Sequence, residues 1–300
     1  MNHFLEISQL TINEIENLLK RALFFKQLGI YPNFSKHKLA NLFYENSTRT
    51  RVSFELAANH LSIYPVNFTL AASSESKGES IIDTIQTLAA MGISLFVIRH
   101  QQDGLQNQLA AQVGPGIHII NAGDGKHAHP SQAMLDLMTI KEKKSNLQQL
   151  KVAIVGDLRH SRVANSLQYL FSLTGIKELM LVAPSIWQPS QVHYGQVTDS
   201  LKEGIKDADV IICLRIQNER LSSSEVINLD TYRANYAITA EVLQYAKKDV
   251  MIMHPGPINR GVEIDSDVAD GSQSCILHQV TNGVFMRMAI IESLLAQYEQ

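Results

Sequence analysis

Five consecutive residues, Ser47-Thr48-Arg49-Thr50-Arg51, put hydroxyls and guanidinium groups together where an apolar, strand-like run passes into a helix-like one. Amide hydrogens at a helix start are unpaired and point outward, so they suit an oxyanion. Ser47, Thr48 and Thr50 add hydroxyl donors, and Arg49 supplies a planar fork that matches phosphate oxygens. The other reading of the run is a capped helix with solvated arginines. It is neither a Walker loop nor a Gly-x-Gly-x-x-Gly fingerprint, so it does not by itself specify a nucleotide.

Other polar residues fall at comparable places. Arg99 follows the apolar run Ser94 to Ile98, just past the carboxyl end of a strand, where α/β sheets put ligand-binding residues; it could equally be a surface residue. His129-Pro130-Ser131-Gln132 opens a helix after the glycine-rich turn Asn121-Ala122-Gly123-Asp124-Gly125. His129 could donate a hydrogen bond to a carbonyl oxygen, with Gln132 one turn on beside it, or the pair could be an ordinary helix start. His127 and His129 raise the question of a metal, but no third ligand is placed by the sequence. Further on, Gly156-Asp157 ends one strand and Arg162 begins the next helix. Arg215 and Gln217 follow a second strand, and His254-Pro255-Gly256-Pro257 follows a third. Polar or turn-forming groups at the same end of three strands are hard to explain as solvated surface. Two arginines among them imply an anionic second substrate with more than one carboxylate.

The elements that must position these residues alternate. Thr11 and Glu14 form a capping box, and Ile15, Leu18, Leu19, Ala22 and Phe25 make one apolar stripe closed by Gly29. Strands are predicted at Leu39 to Phe43, Ser94 to Ile98 and Ile117 to Ile120. The helices between and around them carry Phe54 to Leu61, Glu79 to Met91, Leu105 to Val113 and Pro130 to Thr139. The polar stretch Lys141 to Gln149 breaks the pattern and suggests a domain boundary. A second series follows, with strands at Val152–Val155, Leu179–Val182, Val210–Leu214 and Val250–Met253. Its helices fall at Ser161–Leu173, Thr198–Ile205 and Thr239–Tyr245. Ser274 to Ala296 reads as one long helix or two, with Gly283 the candidate break. Near-continuous apolar strands alternating with helices indicate parallel sheets covered on both faces, an α/β chain of two domains.

Composition agrees. The 300 residues are 45% hydrophobic and 18% charged, which suits two cores of ordinary size and argues against disorder. A net charge of -3, from 26 basic and 29 acidic residues, disfavours bulk nucleic-acid binding while leaving room for a local cationic pocket. Cys213 and Cys275 are too few for a disulfide framework or zinc cluster, and Cys213 lies in an apolar run as a buried thiol. No leader-like start and no stretch of 18 apolar residues is seen, so the expectation is a cytoplasmic protein without membrane contact.

With these residues in place, the chain resembles the aspartate and ornithine carbamoyltransferase family, and its aspartate branch most closely. The family's phosphate motif is matched by Phe43-Tyr44-Glu45-Asn46-Ser47-Thr48-Arg49-Thr50-Arg51-Val52-Ser53-Phe54-Glu55. Lys77-Gly78-Glu79-Ser80, Val97-Ile98-Arg99-His100, His129-Pro130-Ser131-Gln132, Gly156-Asp157-Leu158 and Arg215-Ile216-Gln217 also match. His254-Pro255-Gly256-Pro257-Ile258-Asn259-Arg260-Gly261-Val262-Glu263 and Asn282-Gly283-Val284-Phe285-Met286-Arg287-Met288-Ala289 complete the set, which covers essentially the whole chain. The ornithine branch would instead carry a His-Cys-Leu-Pro turn and a Ser-Met-Gly loop.

The resemblance implies a carbamoyl phosphate-binding domain over 1–140 and an aspartate-binding domain over 141–300, with the chain from about 284 to 300 returning to the first domain. It implies transfer of the carbamoyl group to the α-amine of L-aspartate, giving N-carbamoyl-L-aspartate and phosphate in de novo pyrimidine biosynthesis. Ser47, Thr48, Arg49 and Thr50 would hold the phosphate, with Arg99 assisting. Thr50, Arg99 and His129 would bind or polarise the carbonyl oxygen. Gln132 and the carbonyl of Pro257, in the turn with Gly256, would hold the carbamoyl amino group. Arg162, Arg215 and Gln217 match the aspartate-binding set. Ser73 and Lys77 match a pair contributed across a subunit interface, so the resemblance implies a homotrimer with shared sites. Arg49, Thr50, Lys77, Arg99 and His129 would be the catalytic set, with no cofactor and no metal. Regulatory chains or dihydroorotase are left open as further partners. Departures are small: Gly256 stands where relatives have leucine or alanine, Ser131 replaces threonine and Tyr44 replaces phenylalanine. An ornithine-specific enzyme, a non-catalytic anion-binding homologue and a Rossmann dehydrogenase fit less well. Arg162 with Arg215 disfavours the first, the retained Lys77, His129 and Gln132 the second, and the missing glycine fingerprint the third.

Overall fold

The computed structural model of the chain describes residues 1–68, 78–217 and 225–295. The capping box forms as read: Thr11 Oγ1 accepts the Glu14 N–H and the Glu14 carboxylate accepts the Thr11 N–H, opening α1 (Ile12–Leu28). Satisfying these two amides contributes about 1 kcal/mol. Its predicted stripe, Ile15, Leu18, Leu19, Ala22 and Phe25, is the buried face.

The chain divides into two compact units, one made of Met1–Leu135 with the chain from Val280 onward, the other of Asp136–Gln279. In the first unit, β1 (Lys38–Phe43), α2 (Thr48–His60), β2 (Tyr64–Asn67), α3 (Ile81–Ala90), β3 (Leu95–His100), α4 (Leu105–Ala110) and β4 (His118–Asp124) alternate, and α5 (Pro130–Lys143) follows. Their four strands form one parallel sheet in the order β2-β1-β3-β4. β4 is buried along its whole length, as a strand covered on both faces must be. Ala40, Leu42, Phe96, Ile98 and Ile119 of the sheet pack with Ile85, Leu88, Leu105 and Leu109 of the helices to form its core.

The second unit runs β5 (Lys151–Val155), α6 (Arg162–Thr174), β6 (Glu178–Val182), β7 (Gln196–Thr198), α7 (Leu201–Ile205), β8 (Val210–Cys213), α8 (Leu229–Tyr236), α9 (Ala240–Leu243), β9 (Met251–Met253) and α10 (Ser266–Ala269). Its five strands are parallel in the order β7-β6-β5-β8-β9. The final helix, α11 (Ile276–Leu295), packs back onto the first unit. Arg21 of α1 grips Glu292 through two bonds of 2.5 and 2.7 Å, Lys26 bonds Asn282 at 2.8 Å, and the Arg287 guanidinium lies 5.0 Å from the Phe54 ring centroid.

Several elements depart from the sequence reading. Gly283 does not break α11. An added Cβ there would lie 2.6 Å from Arg287 Nη1 and 3.4 Å from Leu135 Cδ2, so the glycine makes room for close packing. Arg99 lies inside β3, and β4 continues through Asn121-Ala122-Gly123-Asp124, which the sequence reads as a turn. Thr198 ends β7 instead of starting a helix, and Ser200 caps α7. Edge strands β2 and β7 and helix α8 were not predicted. No described helix is long and apolar enough to cross a membrane.

Candidate active site

In both sheets the strand order reverses direction once, between β1 and β3 in the first and between β5 and β8 in the second. Parallel α/β sheets bind ligands outside the carboxyl ends of their strands at such a point. Ser47 and Arg99 lie at the first such point and Arg162 and Arg215 at the second, while His129 and the His254 turn follow the neighbouring strands β4 and β9.

In the first unit, β1 ends at Phe43 and passes through Tyr44–Asn46 to Ser47, the N-cap of α2. Ser47 makes no side-chain cap bond, whereas Ser80 and Ser161 cap α3 and α6. The Ser47 hydroxyl therefore does not cap the first turn of α2. Thr48 and Arg49 are exposed, Ser47 is half-buried and Thr50 is buried. Arg99 is paired in register with Phe43 on the neighbouring strand. Its Nε donates to Glu45 Oε2 at 3.2 Å and its Nη1 to the Ala122 carbonyl at 3.3 Å, which fixes the guanidinium plane at the carboxyl edge. On the next strand, β4 leads through a short turn to His129, whose carbonyl accepts the Gln132 and Ala133 N–H groups and so starts α5. His129 and Gln132 are both buried.

In the second unit, Gly156 follows β5 at φ 132, and a Cβ there would sit 2.5 Å from the Leu214 carbonyl. Only glycine allows the ends of β5 and β8 to approach this closely. The approach brings Gln217 to Asp157: its N–H donates to Asp157 Oδ2 at 3.4 Å and its Nε2 to the His160 carbonyl at 2.8 Å. Arg162, the first residue of α6, is only 6% exposed, rare for an arginine and consistent with a binding role. Arg215 is half-buried just beyond β8.

The His254 turn is held from behind. The Gly256 N–H donates to His254 Nδ1 at 2.8 Å, so the ring proton is on Nε2, which donates to Glu263 Oε1 at 3.1 Å. The same carboxylate oxygen accepts the Asn259 N–H at 2.6 Å. Both side chains are fully buried, and the pair fixes the backbone that presents Gly256, at φ 72, and Pro257.

Ser73 and Lys77 lie outside the described residues. Gly156-Asp157 was singled out in the sequence only as a strand end, and Glu45, Asp124 and Glu263 were given no role of their own. Glu45 bonds Arg99, Asp157 bonds Gln217 and Glu263 bonds His254. Burial pushes the Cys213 thiol far up, with the Glu263 charge adding to the effect, so it is no nucleophile near neutral pH. Among the described residues no three metal-ligating side chains converge.

Two parallel α/β units, each with arginines and hydroxyl or amide side chains at the carboxyl ends of its strands, have the architecture of a group-transfer enzyme. The chain belongs to the aspartate/ornithine carbamoyltransferase family. The family's carbamoyl-P binding domain matches residues 2–142 and its Asp/Orn binding domain matches residues 148–294. Its activity is that of an aspartate carbamoyltransferase, the transfer of the carbamoyl group of carbamoyl phosphate to aspartate in pyrimidine biosynthesis. The aspartate carbamoyltransferase catalytic subunit of Legionella pneumophila (strain Corby) is 64% identical over 295 residues, spanning 98% of this chain and 99% of the relative. The crystal structure of aspartate transcarbamoylase from Trypanosoma cruzi in complex with carbamoyl aspartate and phosphate superposes with a TM-score of 0.89. It is 30% identical, over 98% of this chain and 96% of that one. The ornithine carbamoyltransferase of Pyrococcus furiosus shares the fold, with a TM-score of 0.88, but only 25% identity over 99% of this chain and 98% of its own.

Proposed function

We propose that Ser47, Thr48, Arg49 and Thr50, with Arg99, hold the phosphate of carbamoyl phosphate on the first unit. Thr50, Arg99 and His129 act on the carbonyl oxygen there, and Gln132 takes the carbamoyl amino group. Arg162, Arg215 and Gln217 hold the carboxylates of aspartate on the second unit, with Gly256 and Pro257 completing the substrate-binding set. The observation that carries this reading is the placement of the Ser47 run, Arg99 and the turn to His129 at the carboxyl ends of three adjacent parallel strands.

In this reading the neutral α-amine of aspartate attacks the carbonyl carbon of carbamoyl phosphate and a C–N bond forms. Negative charge builds on the carbonyl oxygen, where donors already oriented by the fold stabilise it without reorganisation. The C–O bond to phosphate then breaks, and the departing phosphate takes the amine proton. Arg49 and Lys77 offset the charge on that leaving group. Most of the rate enhancement is positioning and electrostatics, which explains why the assigned residues include donors but no nucleophile.

Three chains form a trimer in this reading, with Ser73 and Lys77 of one protomer completing a neighbour's site. Val52 and Leu56 of α2 and Tyr64 of edge strand β2 are exposed apolar side chains of the first unit, and they support an interface involving that unit. The buried free thiols Cys213 and Cys275 support a cytoplasmic location.

Purified protein given carbamoyl phosphate and either aspartate or ornithine should release phosphate and carbamoylated product with aspartate alone. Equal turnover of ornithine would overturn the assignment of Arg162 and Arg215. Mixing inactive Arg49→Ala with inactive Lys77→Ala should restore activity, up to about a quarter or a third of wild type when one intact site forms per few protomers. A mixture as inactive as its parents would remove the shared-site reading.

A further inference from the structure

The turn between β4 and His129 is organised by one buried carboxylate. Asp124 is fully buried, and its Oδ1 accepts the Ala128 N–H at 2.8 Å. Its Oδ2 accepts the Gly104 N–H at 2.9 Å and faces His127 Nδ1 at 3.0 Å, where a carboxylate can only accept. The Asp124 backbone N–H donates to the Ala128 carbonyl, and its own carbonyl accepts the His127 N–H. Asp124 thus binds every side of the turn that ends at Ala128, the residue before His129.

The imidazole of His127 lies among carboxylates from two further places. Its Nε2 is 3.7 Å from Glu6 Oε1, brought there by the N-terminal segment whose Phe4 pairs with Ile120 beside β4. Glu6 is itself held by Asn107 of α4 and by Ser8. Asp103, from the loop before α4, also acts on His127 and accepts the Lys126 N–H at 2.7 Å. Lys126 is the neighbouring cation on the turn. The hydrogen bond to Asp124 raises the His127 pKa above the ordinary imidazole value against the opposing effect of burial. For Asp124, burial pushes upward, but the His127 bond and charge, with the Gly104 amide, outweigh it and hold the carboxyl below its ordinary value.

We propose that Asp124 is a positioning residue for His129, and that the charge on His127 sets how firmly Asp124 holds the turn. Asp124 touches neither substrate in the reading above. It acts because a group that stabilises developing charge must sit within a fraction of an ångström of the oxygen it serves. Cationic His127 clamps Asp124 most strongly, so the clamp is tightest below the ordinary imidazole pKa and loosens as pH rises through the raised value. The inference rests on the assignment of His129.

The test uses the full chain with Asp124→Asn, His127→Ala, His127→Asn and His129→Ala, following kcat and both KM values from about pH 6 to about pH 9. Asparagine at 124 turns one acceptor into a donor facing the Gly104 amide. It is expected to lower kcat about 10- to 100-fold with KM for carbamoyl phosphate changed less than about threefold, the pattern of a lost transition-state interaction. For His127→Ala, the ratio of wild-type to variant kcat should be largest at low pH and fall as pH rises. His127→Asn keeps a donor toward Asp124 and should recover kcat without restoring that pH dependence. A folded Asp124→Asn with wild-type kcat would overturn the proposal. If Asp124→Asn does not fold, the His127 variants decide: wild-type kcat with a flat ratio across pH overturns it. Wild-type kcat in His129→Ala would instead refute the site assignment itself, so the two failures are told apart.

Discussion

Replacing Arg49 by alanine is expected to lower kcat/KM about 10³-fold, roughly 4 kcal/mol of transition-state stabilisation. Arg49 is in the first turn of α2, where the positive end of the helix dipole already favours an anion. In the proposed reading its guanidinium adds two parallel donors to the same phosphate, and that interaction strengthens as charge moves onto the leaving group. The loss should therefore appear in kcat as well as in KM for carbamoyl phosphate. Arg49→Lys should recover only part of it, because an ammonium is a point charge without the fork. Arg49 is exposed and outside both cores, so the melting temperature should stay close to wild type. Steady-state kinetics within tenfold of wild type in a folded Arg49→Ala would remove this residue from the phosphate site.

Arg215→Ala should act on the other substrate. Loss of a charge-assisted bond to a carboxylate costs about 3 kcal/mol, so KM for aspartate should rise about 10²-fold. Carbamoyl phosphate affinity should be little changed, because the residues assigned to it belong to the other unit. Arg215 sits at the carboxyl end of β8, beside the Asp157–Gln217 contact that fixes the loop backbone. A titration of aspartate against saturating carbamoyl phosphate separates the two effects. An unchanged aspartate KM would be incompatible with Arg215 as a carboxylate ligand. The contrast with Arg49→Ala, which should weaken carbamoyl phosphate, makes the two variants a pair that maps each substrate to its unit.

Much of the fold was legible because its signals are local. The Thr11–Glu14 box, the stripe from Ile15 to Phe25 and the apolar strands at the centres of both sheets each follow from residues a few positions apart. What escaped were elements whose local signal is weak. β2 contains Pro65 and lies at a sheet edge, β7 has three residues, and α8 buries Tyr232 alone. Tertiary pairing forms these elements, and propensity only permits them. The run Asn121-Ala122-Gly123-Asp124 reads as a turn by composition, yet it continues β4 because Asp124 finds its bonding partners in Gly104, His127 and Ala128.

By itself the sequence determined which residues could bind a phosphate and which could bind carboxylates, since hydroxyls, guanidinium forks and helix starts carry that chemistry in their type and spacing. It also determined that they belong at the ends of parallel strands. Only the tertiary structure decided the strand order, and with it that Ser47 and Arg99 flank one reversal point while Arg162 and Arg215 flank another. It likewise decided what the carboxylates Glu45, Asp124, Asp157 and Glu263 bond to. The physical reason is range: an amide or side chain declares its donors locally, but its partner is chosen by packing between segments far apart in the chain, as Arg99 is by Glu45 and Gln217 by Asp157.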